Sequence, residues 1–213
     1  MGEIVLVRHG QANSGATSEA EYDRLSELGH RQAGWLGEWL RAHDAPFDTV
    51  HTGTMRRHLE TAAAMGVEGS SDDRLNELDY FALARDMQVR HGLAPPGPDE
   101  WPDHVVATFN AWHLAEIEGT EPFAAFEARV AAVLDEAAQP GRRVLCVTSG
   151  GVIAMALRLA LGLDADRLAR VLLPIHNTSI HRFRVRAGGT HLAQFNATPH
   201  FDPPERQPSR TWL

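Results

Sequence analysis

Three adjacent residues near the start of the chain, Arg8-His9-Gly10, combine groups suited to chemistry on an anion. The planar guanidinium of Arg8 can donate two parallel hydrogen bonds to a phosphate or carboxylate. The imidazole of His9 is a nitrogen nucleophile that is partly deprotonated near neutral pH. Gly10 allows the backbone to approach a ligand closely. The trio predicts phosphoryl chemistry, and its residue types alone leave open an ordinary surface arginine and histidine at a strand end.

The element before this trio predicts where it lies. Residues 4–7 are four consecutive branched apolar residues, a pattern typical of a strand buried on both faces of a parallel sheet. In open α/β sheets ligands bind at the carboxyl ends of the strands, which is where the trio begins. A similar run at residues 143–148 is followed by Ser149-Gly150-Gly151, which opens a helix predicted over residues 152–161.

Amphipathic helices are predicted between the strands. Ser26 is placed to cap one helix, and Thr54 is placed to cap another after a short strand at residues 47–51. The second helix is expected to turn its apolar side chains inward: Met55, Leu59, Ala62 and Ala63. Arg56 and Arg57 fall in its first turn, where the helix dipole disfavours a cation unless an anion binds there.

A segment of different composition, at about residues 80–120, includes Pro95-Pro96-Gly97-Pro98 and then aromatic residues at helical spacing. We expect it to form a helical cap insertion over the sheet edge. Long segments at such edges commonly bind ligands, so this one is expected to set substrate choice. The side chains expected to take part are Arg85, Arg90, Trp101 and Trp112.

The order of elements predicts an α/β fold: a three-layer α/β/α sandwich with a mostly parallel central sheet. We expect one domain over residues 1–213, with late strands near 179–185 and 191–196 and an extended tail at about 198–213. The single cysteine, Cys146, lies in an apolar run, which predicts a buried, unreactive thiol and excludes a disulfide within the chain.

Composition limits the partners. With 43% hydrophobic and 23% charged residues the chain is in the ordinary globular range. The net charge of -8 argues against nucleic acid or an anionic membrane as a partner. The sequence passes from Met1 into a strand with no basic leader, and no apolar run approaches the ~20 residues of a membrane span. We therefore expect a cytoplasmic protein.

Four segments of the chain occur in a characteristic order: Val5-Leu6-Val7-Arg8-His9-Gly10; Leu25-Ser26 with Leu28-Gly29 and Gln32-Ala33; Met55 and Arg57 with Thr61-Ala62; and Leu75-Asn76-Glu77. Together, from residue 4 to about 180, they resemble the histidine phosphatase superfamily, also called the phosphoglycerate mutase-like family. The resemblance implies that His9 is the phosphorylated nucleophile and Glu77 the proton donor. It also implies that Arg8 and Arg57 hold the phosphoryl oxygens, with Arg56 as a neighbour.

One position departs from the family pattern. Where the family usually has a second histidine, between the fourth strand and its helix, this chain has Ser149. A serine donates one neutral hydrogen bond, and losing a preorganised donor costs on the order of 10²–10³ in rate. Backbone N–H groups of the helix that Gly150 and Gly151 open could compensate in part. We expect Ser149 to contact the phosphoryl group, and we expect that Ser149→His raises turnover.

The resemblance, together with the chemistry of these residues, implies a phosphatase, that is a phosphoric monoester hydrolase. It would act through a phosphohistidine on a small phosphorylated metabolite or bind inorganic phosphate. No cofactor or metal is expected, because the twelve histidines are scattered and no His-Glu-x-x-His string or cysteine pair occurs.

Other function classes stay open, as does the oligomeric state. One is a catalytically weakened phosphate-binding or sensor module, and another is a phosphoglycerate-type mutase. A third is a serine hydrolase with Ser149 as nucleophile and His176, His181 or His200 as base. That pattern needs a glycine two residues before the serine, where Val147 stands.

Overall fold

The computed structural model of the protein describes residues 2–13, 15–16, 18–97 and 99–212. Two of the other five positions, Ser14 and Thr17, lie in residues 11–21, which are small and polar and whose composition predicts a loop. Pro98 belongs to the predicted insertion, and Met1 and Leu213 are the ends of the predicted domain and tail. These parts of the predictions lie outside the described residues.

A sheet of six strands, counted over the described ranges, forms the centre of the fold. The strands are β1 (Gly2–Arg8), β2 (Thr49–Thr52), β3 (Ser70–Ser71), β4 (Arg143–Thr148), β5 (Ile180–Arg186) and β6 (Gly189–Ala197). Their order is β3-β2-β4-β1-β5-β6. Strand β5 pairs antiparallel with both β1 and β6, and the other pairs are parallel. Arg8 pairs with Thr148, so β1 and β4 end at the same edge. Cys146 is buried in β4, and burial raises the pKa of its thiol to about 12.

Helices cover both faces of this sheet. Those in the described residues are α1 (Glu19–Tyr22), α2 (Glu27–His43), α3 (Arg56–Met65), α4 (Tyr80–His91), α5 (Trp101–His113), α6 (Phe123–Ala137), α7 (Gly150–Leu161) and α8 (Ala165–Leu172). Helices α2 and α3 pack on the face with Val5 and Val147, and α4 to α8 pack on the face with Leu6 and Cys146. The predicted three-layer α/β/α arrangement is confirmed. No helix in the described part is both long and apolar enough to cross a bilayer.

Helix α3 differs from its prediction in its cap and its inner face. Its N-cap is Met55 rather than Thr54, and no side chain of the cap residue bonds the helix. The carboxylate of Asp23 instead accepts the first two backbone N–H groups, at 2.9 and 3.0 Å. Leu59 is 43% exposed and Ala63 is also exposed. Its buried residues are Arg57, His58, Thr61, Ala62 and Met65. Three of them are polar, because the N-terminal half of the helix meets the polar edge of the sheet.

The predicted insertion contains α4 and α5, whereas the tail is not extended. Residues 198–212 form two short 3-10 turns, Pro199–Phe201 and Gln207–Ser209. Each turn has a proline at its start, where a fixed φ and a missing N–H are tolerated. Phe201 is buried, and the carbonyl of Trp212 accepts a hydrogen bond from Arg8 Nη1 at 2.7 Å. The tail therefore packs beside the end of β1.

Candidate active site

His9 follows β1 and is only 2% exposed. Its backbone N–H donates to the carbonyl of Thr148 at 2.9 Å, and its ring Nδ1 is 2.7 Å from the carbonyl of Gly10. Because a carbonyl can only accept, Nδ1 carries the proton and Nε2 keeps its lone pair. Burial, reinforced by the charges of Arg57 and Arg8, lowers the pKa of His9 well below 6.5. The ring is therefore neutral at pH 7, the form in which an imidazole can act as a nucleophile.

The loop after His9 packs closely against α2 and α3. A Cβ on Gly10 would lie 2.5 Å from the carbonyl oxygen of Gly29, so only glycine fits there. The backbone N–H of Gly10 donates to Thr61 Oγ1 at 3.0 Å, and the Thr61 hydroxyl donates to the carbonyl of Arg57 at 2.7 Å. Thr61 thus joins the histidine loop to the first turn of α3.

Arg57 points into the site from that first turn and is fully buried. Its Nη1 donates to Glu19 at 2.5 Å and to Asp23 at 3.2 Å. Its Nε and Nη2 are buried and have no hydrogen-bond partner among the described residues. Unpaired buried guanidinium donors are costly, and an anion bound beside them would satisfy them. The Arg56 side chain is 66% exposed and pairs with Glu60 on the outer surface.

Arg8 supplies a second set of donors. Its Nη1 donates to the backbone carbonyls of Ile175 and Trp212. Its Nε is buried and has no partner in the described part of the chain. Arg8 and Arg57 are therefore each anchored by the protein at Nη1 and keep donors free elsewhere. Two such fixed forks suit the three oxygens of a phosphoryl group in transfer.

Glu77 lies next to the first turn of α7. Its Oε2 accepts from the backbone N–H of Gly151 at 2.9 Å, and its Oε1 accepts from the backbone N–H of Leu78 at 3.1 Å. A Cβ on Gly151 would lie 2.2 Å from Glu77 Oε1, so the carboxyl group needs a glycine there. The helix begins at Gly150 rather than at residue 152. The Gly151 N–H, one of the helix N–H groups that the sequence suggested as phosphate donors, binds Glu77 instead.

A cavity of about 500 Å³ lies beside the two arginines and Glu77. Arg8, Arg57 and Glu77 are among its lining residues. Much of its remaining wall is apolar and comes from α4, α5 and the end of α8: Tyr80, Phe81, Trp101, Val105, Phe109, Leu172 and Leu173. Of the side chains expected to set substrate choice, Trp101 lines the cavity. Trp112 is instead buried in the core, and Arg85 and Arg90 are exposed.

Helix α1 brings two more side chains to the site, in a segment that the sequence indicated as a loop. The ring of Tyr22 lies edge-on to His9, with centroids 6.2 Å apart, and the Arg57 guanidinium lies 5.0 Å from its centroid. Glu19 pairs with Arg57, yet burial raises the pKa of Glu19. No cluster of three or more His, Cys, Asp or Glu side chains that could hold a metal occurs among the described residues.

Ser149 is fully buried between β4 and α7, and its Oγ lies 2.6 Å from Nε2 of His58. His58 was not among the site residues predicted from the sequence. The sequence feature that could have identified it is its position, directly after Arg57 and three residues before Thr61, on the face of α3 that turns inward. The His58 ring is fully buried, and its centroid lies 5.8 Å from that of His9.

The surroundings of Ser149 differ from those of a hydrolase nucleophile. Its backbone has φ −120° and ψ 172°, which is ordinary extended geometry rather than the strained turn of such an elbow. His58 occupies the base position in place of the predicted His176, His181 or His200. Nδ1 of His58 is buried without a partner among the described residues, so no described carboxylate orients the ring as in a triad.

Comparisons with solved structures agree with this fold. A phosphoserine phosphatase from Entamoeba histolytica in complex with phosphoserine superposes with a TM-score of 0.70 at 18% identity, covering 94% of this chain and 99% of that one. The alpha-ribazole phosphatase from Shigella flexneri gives a TM-score of 0.68 at 20% identity, covering 92% and 96%. At these identities the likeness shows the fold alone.

Sequence comparisons identify the family. A 2,3-bisphosphoglycerate-dependent phosphoglycerate mutase from Methylorubrum populi is 33% identical over 91 residues, which are 38% of this chain and 43% of the mutase. The chain thus matches less than half the length of this curated relative. The sequence profile of the histidine phosphatase superfamily (branch 1) matches residues 4–198, most of the chain. The chain therefore belongs to the histidine phosphatase superfamily.

Proposed function

We propose that the protein is a phosphoric monoester hydrolase that transfers a phosphoryl group first to His9 and then to water. The observation that carries this proposal is the state of His9: buried, neutral and fixed through Nδ1, beside two arginines whose free donors have no partner in the described residues. A nucleophile and a cationic clamp held on rigid elements are what phosphoryl transfer requires.

In the first step Nε2 of His9 attacks phosphorus, and the bond from phosphorus to the leaving oxygen breaks. The free donors of Arg8 and Arg57 stabilise the charge on the three equatorial oxygens. The leaving oxygen takes a proton from the Glu77 carboxyl group, which two backbone N–H groups hold at the cavity wall. The product alcohol leaves, and His9 carries the phosphoryl group.

In the second step Glu77, now a carboxylate, removes a proton from water. The water oxygen forms a bond to phosphorus while the bond from phosphorus to Nε2 of His9 breaks. Inorganic phosphate is released, Glu77 is again protonated and His9 is again neutral. The Nδ1 proton stays on the ring throughout, held by the Gly10 carbonyl.

The cavity wall supports hydrolysis of a monoester with an apolar or aromatic leaving group. Beyond the two arginines its charged lining residues are Glu19 and Glu77, so it offers no further cation among the described residues. A phosphoglycerate mutase has to hold a substrate carboxylate and retain a bisphosphate, which favours more cationic groups. The mutase remains the second candidate because the curated relatives carry that name.

The experiment compares two reactions of the purified full chain. We expect phosphate release from an aryl phosphate monoester to exceed interconversion of 2- and 3-phosphoglycerate. Interconversion that outpaces hydrolysis would replace the phosphatase with the mutase. Binding of inorganic phosphate without turnover of any tested monoester would replace it with the sensor module.

A further inference from the structure

The pair formed by His58 and Ser149 has no part in the two steps above. Its two side chains are fully buried, and Nε2 of His58 lies 2.6 Å from Ser149 Oγ. We propose that the pair is one functional unit, in which Ser149 donates a hydrogen bond to the transferring phosphoryl group and His58 positions the Ser149 hydroxyl. The inference rests on the proposed function, since it concerns a further donor to the same phosphoryl group.

The location of the pair places this donor beside the reacting groups. The His58 ring centroid is 5.8 Å from that of His9. Ser149 immediately precedes Gly150, where an added Cβ would lie 3.8 Å from Arg8 Nε and 4.0 Å from Glu77 Oε2. The pair therefore lies among the nucleophile, the clamp and the proton donor.

The hydrogen bond between the two side chains determines where the serine proton can go. Burial, with the charge of Arg57, lowers the pKa of His58 well below 6.5, so its ring is neutral. With the proton on Nε2, His58 donates to Ser149 Oγ, and the serine hydroxyl is left to donate to a phosphoryl oxygen. With the proton on Nδ1, a buried N–H would have no acceptor among the described residues, which is costly. The Nε2 tautomer is therefore the one that the environment favours.

The space around the ring is also shaped for it. A Cβ on Gly53 would lie 2.0 Å from Nδ1 of His58 and 2.8 Å from Oδ1 of Asn76. Gly53 is thus the residue that leaves room for the ring. Relative to the family pattern, this chain places its second histidine on α3 and a small hydroxyl residue at the start of α7.

This arrangement reverses the expectation that Ser149→His raises turnover. A second imidazole at position 149 would enter space already occupied by the His58 ring, because the two side chains are 2.6 Å apart. Overpacking of a buried site displaces neighbouring side chains. We therefore expect Ser149→His alone to lose activity. The exchange variant, which combines His58→Ala with Ser149→His, should recover it, because removal of the His58 ring leaves space for the imidazole at position 149.

The test is a double-mutant cycle on aryl phosphate hydrolysis. We expect His58→Ala, Ser149→Ala and their combination each to lower kcat by roughly 10²-fold, the effect of one preorganised donor, with little change in KM. If the two side chains acted independently, their separate losses would multiply, and the combined variant would lose on the order of 10⁴-fold in kcat. His58→Gln keeps an N–H donor near Ser149 and should stay within roughly tenfold of wild type, while Gly53→Ala should lose activity as His58→Ala does.

The outcomes separate this inference from the proposed function. Two results would refute the joint role of His58 and Ser149 and leave the phosphatase proposal intact. One is independent losses in the cycle, and the other is a folded exchange variant that is no more active than His58→Ala or Ser149→His alone. Should the exchange variant fail to fold, His58→Gln decides: activity as low as in His58→Ala overturns the positioning role. Absence of turnover in wild type overturns the proposed function and the unit with it.

Discussion

Replacing Arg57 with methionine tests the clamp most sharply, because the chain supplies its own control one residue away. Arg57 is fully buried and keeps Nε and Nη2 free, whereas Arg56 lies on the outer surface of α3. The two positions differ by about 100° of helix rotation. The Arg57→Met side chain is apolar and offers neither charge nor donor.

The expected magnitude follows from the donors that are lost. Two hydrogen bonds to a charged group contribute roughly 1.5–3 kcal/mol each, so Arg57→Met should cost about 3–6 kcal/mol of transition-state stabilisation. That is a loss of roughly 10²–10⁴ in kcat/KM. Arg56→Met removes only a surface pair with Glu60, of a kind that contributes roughly 0.3–0.5 kcal/mol, and should leave kcat/KM within about twofold.

The assay is kcat/KM for an aryl phosphate, together with inhibition by inorganic phosphate, for wild type and both variants. Arg57→Met also leaves Glu19 and Asp23 without their partner, so thermal unfolding is measured alongside. Arg57→Lys restores the charge without the fork and should fall between wild type and Arg57→Met. Equal losses at positions 56 and 57 in folded variants would refute the inward placement of Arg57.

Three further outcomes are expected. Gly151→Ala should lower kcat, because its Cβ would displace the Glu77 carboxyl group, while Gly34→Ala in α2 meets only ordinary contacts and should leave kcat unchanged. Trp101→Ala should lower kcat/KM for an aryl phosphate more than for a small alkyl phosphate, because Trp101 lines the cavity. Burial lowers the pKa of His181 to about 3 in the folded state, below the value of about 6.5 in the unfolded chain. Because the unfolded chain then binds a proton that the folded protein does not, the free energy of unfolding falls as the pH drops below about 6.5. In urea unfolding, the free energy of unfolding of wild type should fall between pH 7.5 and pH 5.5. In His181→Gln that fall should be smaller by about 1 kcal/mol.

The sequence predicted the layers of the fold well because apolar runs and helical periodicity depend on burial, which dominates folding. The strands around residues 4–7 and 143–148 are β1 and β4, the central neighbours of the sheet. Strand β3, of two residues, and the four-residue helix α1 are too short for any periodic pattern. The cap of α3 was missed because Asp23 reaches it from another segment, which no local rule detects.

The candidate site was predicted in part. Of the residues that the four characteristic segments suggested, Arg8, Arg57 and Glu77 line one cavity. His9 lies close enough to the two arginines for their charges to lower its pKa. His58 was missed because the inner face of α3 was expected to be apolar, and only the fold shows that this face turns its polar residues toward the end of β4. The roles of all these site residues in turnover stay predictions, which the experiments above test.

The most direct test of the central claim is to trap the phosphorylated protein. After rapid quench of wild type with a labelled phosphate monoester, we expect a phosphoryl group on the protein that is acid-labile and base-stable, as a phosphohistidine is, and that maps to His9. Its yield should fall to background in His9→Ala, while Arg56→Met, a surface substitution in the same region, should keep it. An adduct of the same yield in His9→Ala would contradict the assignment of the nucleophile, and a base-labile adduct on Ser149 would replace it with the serine hydrolase.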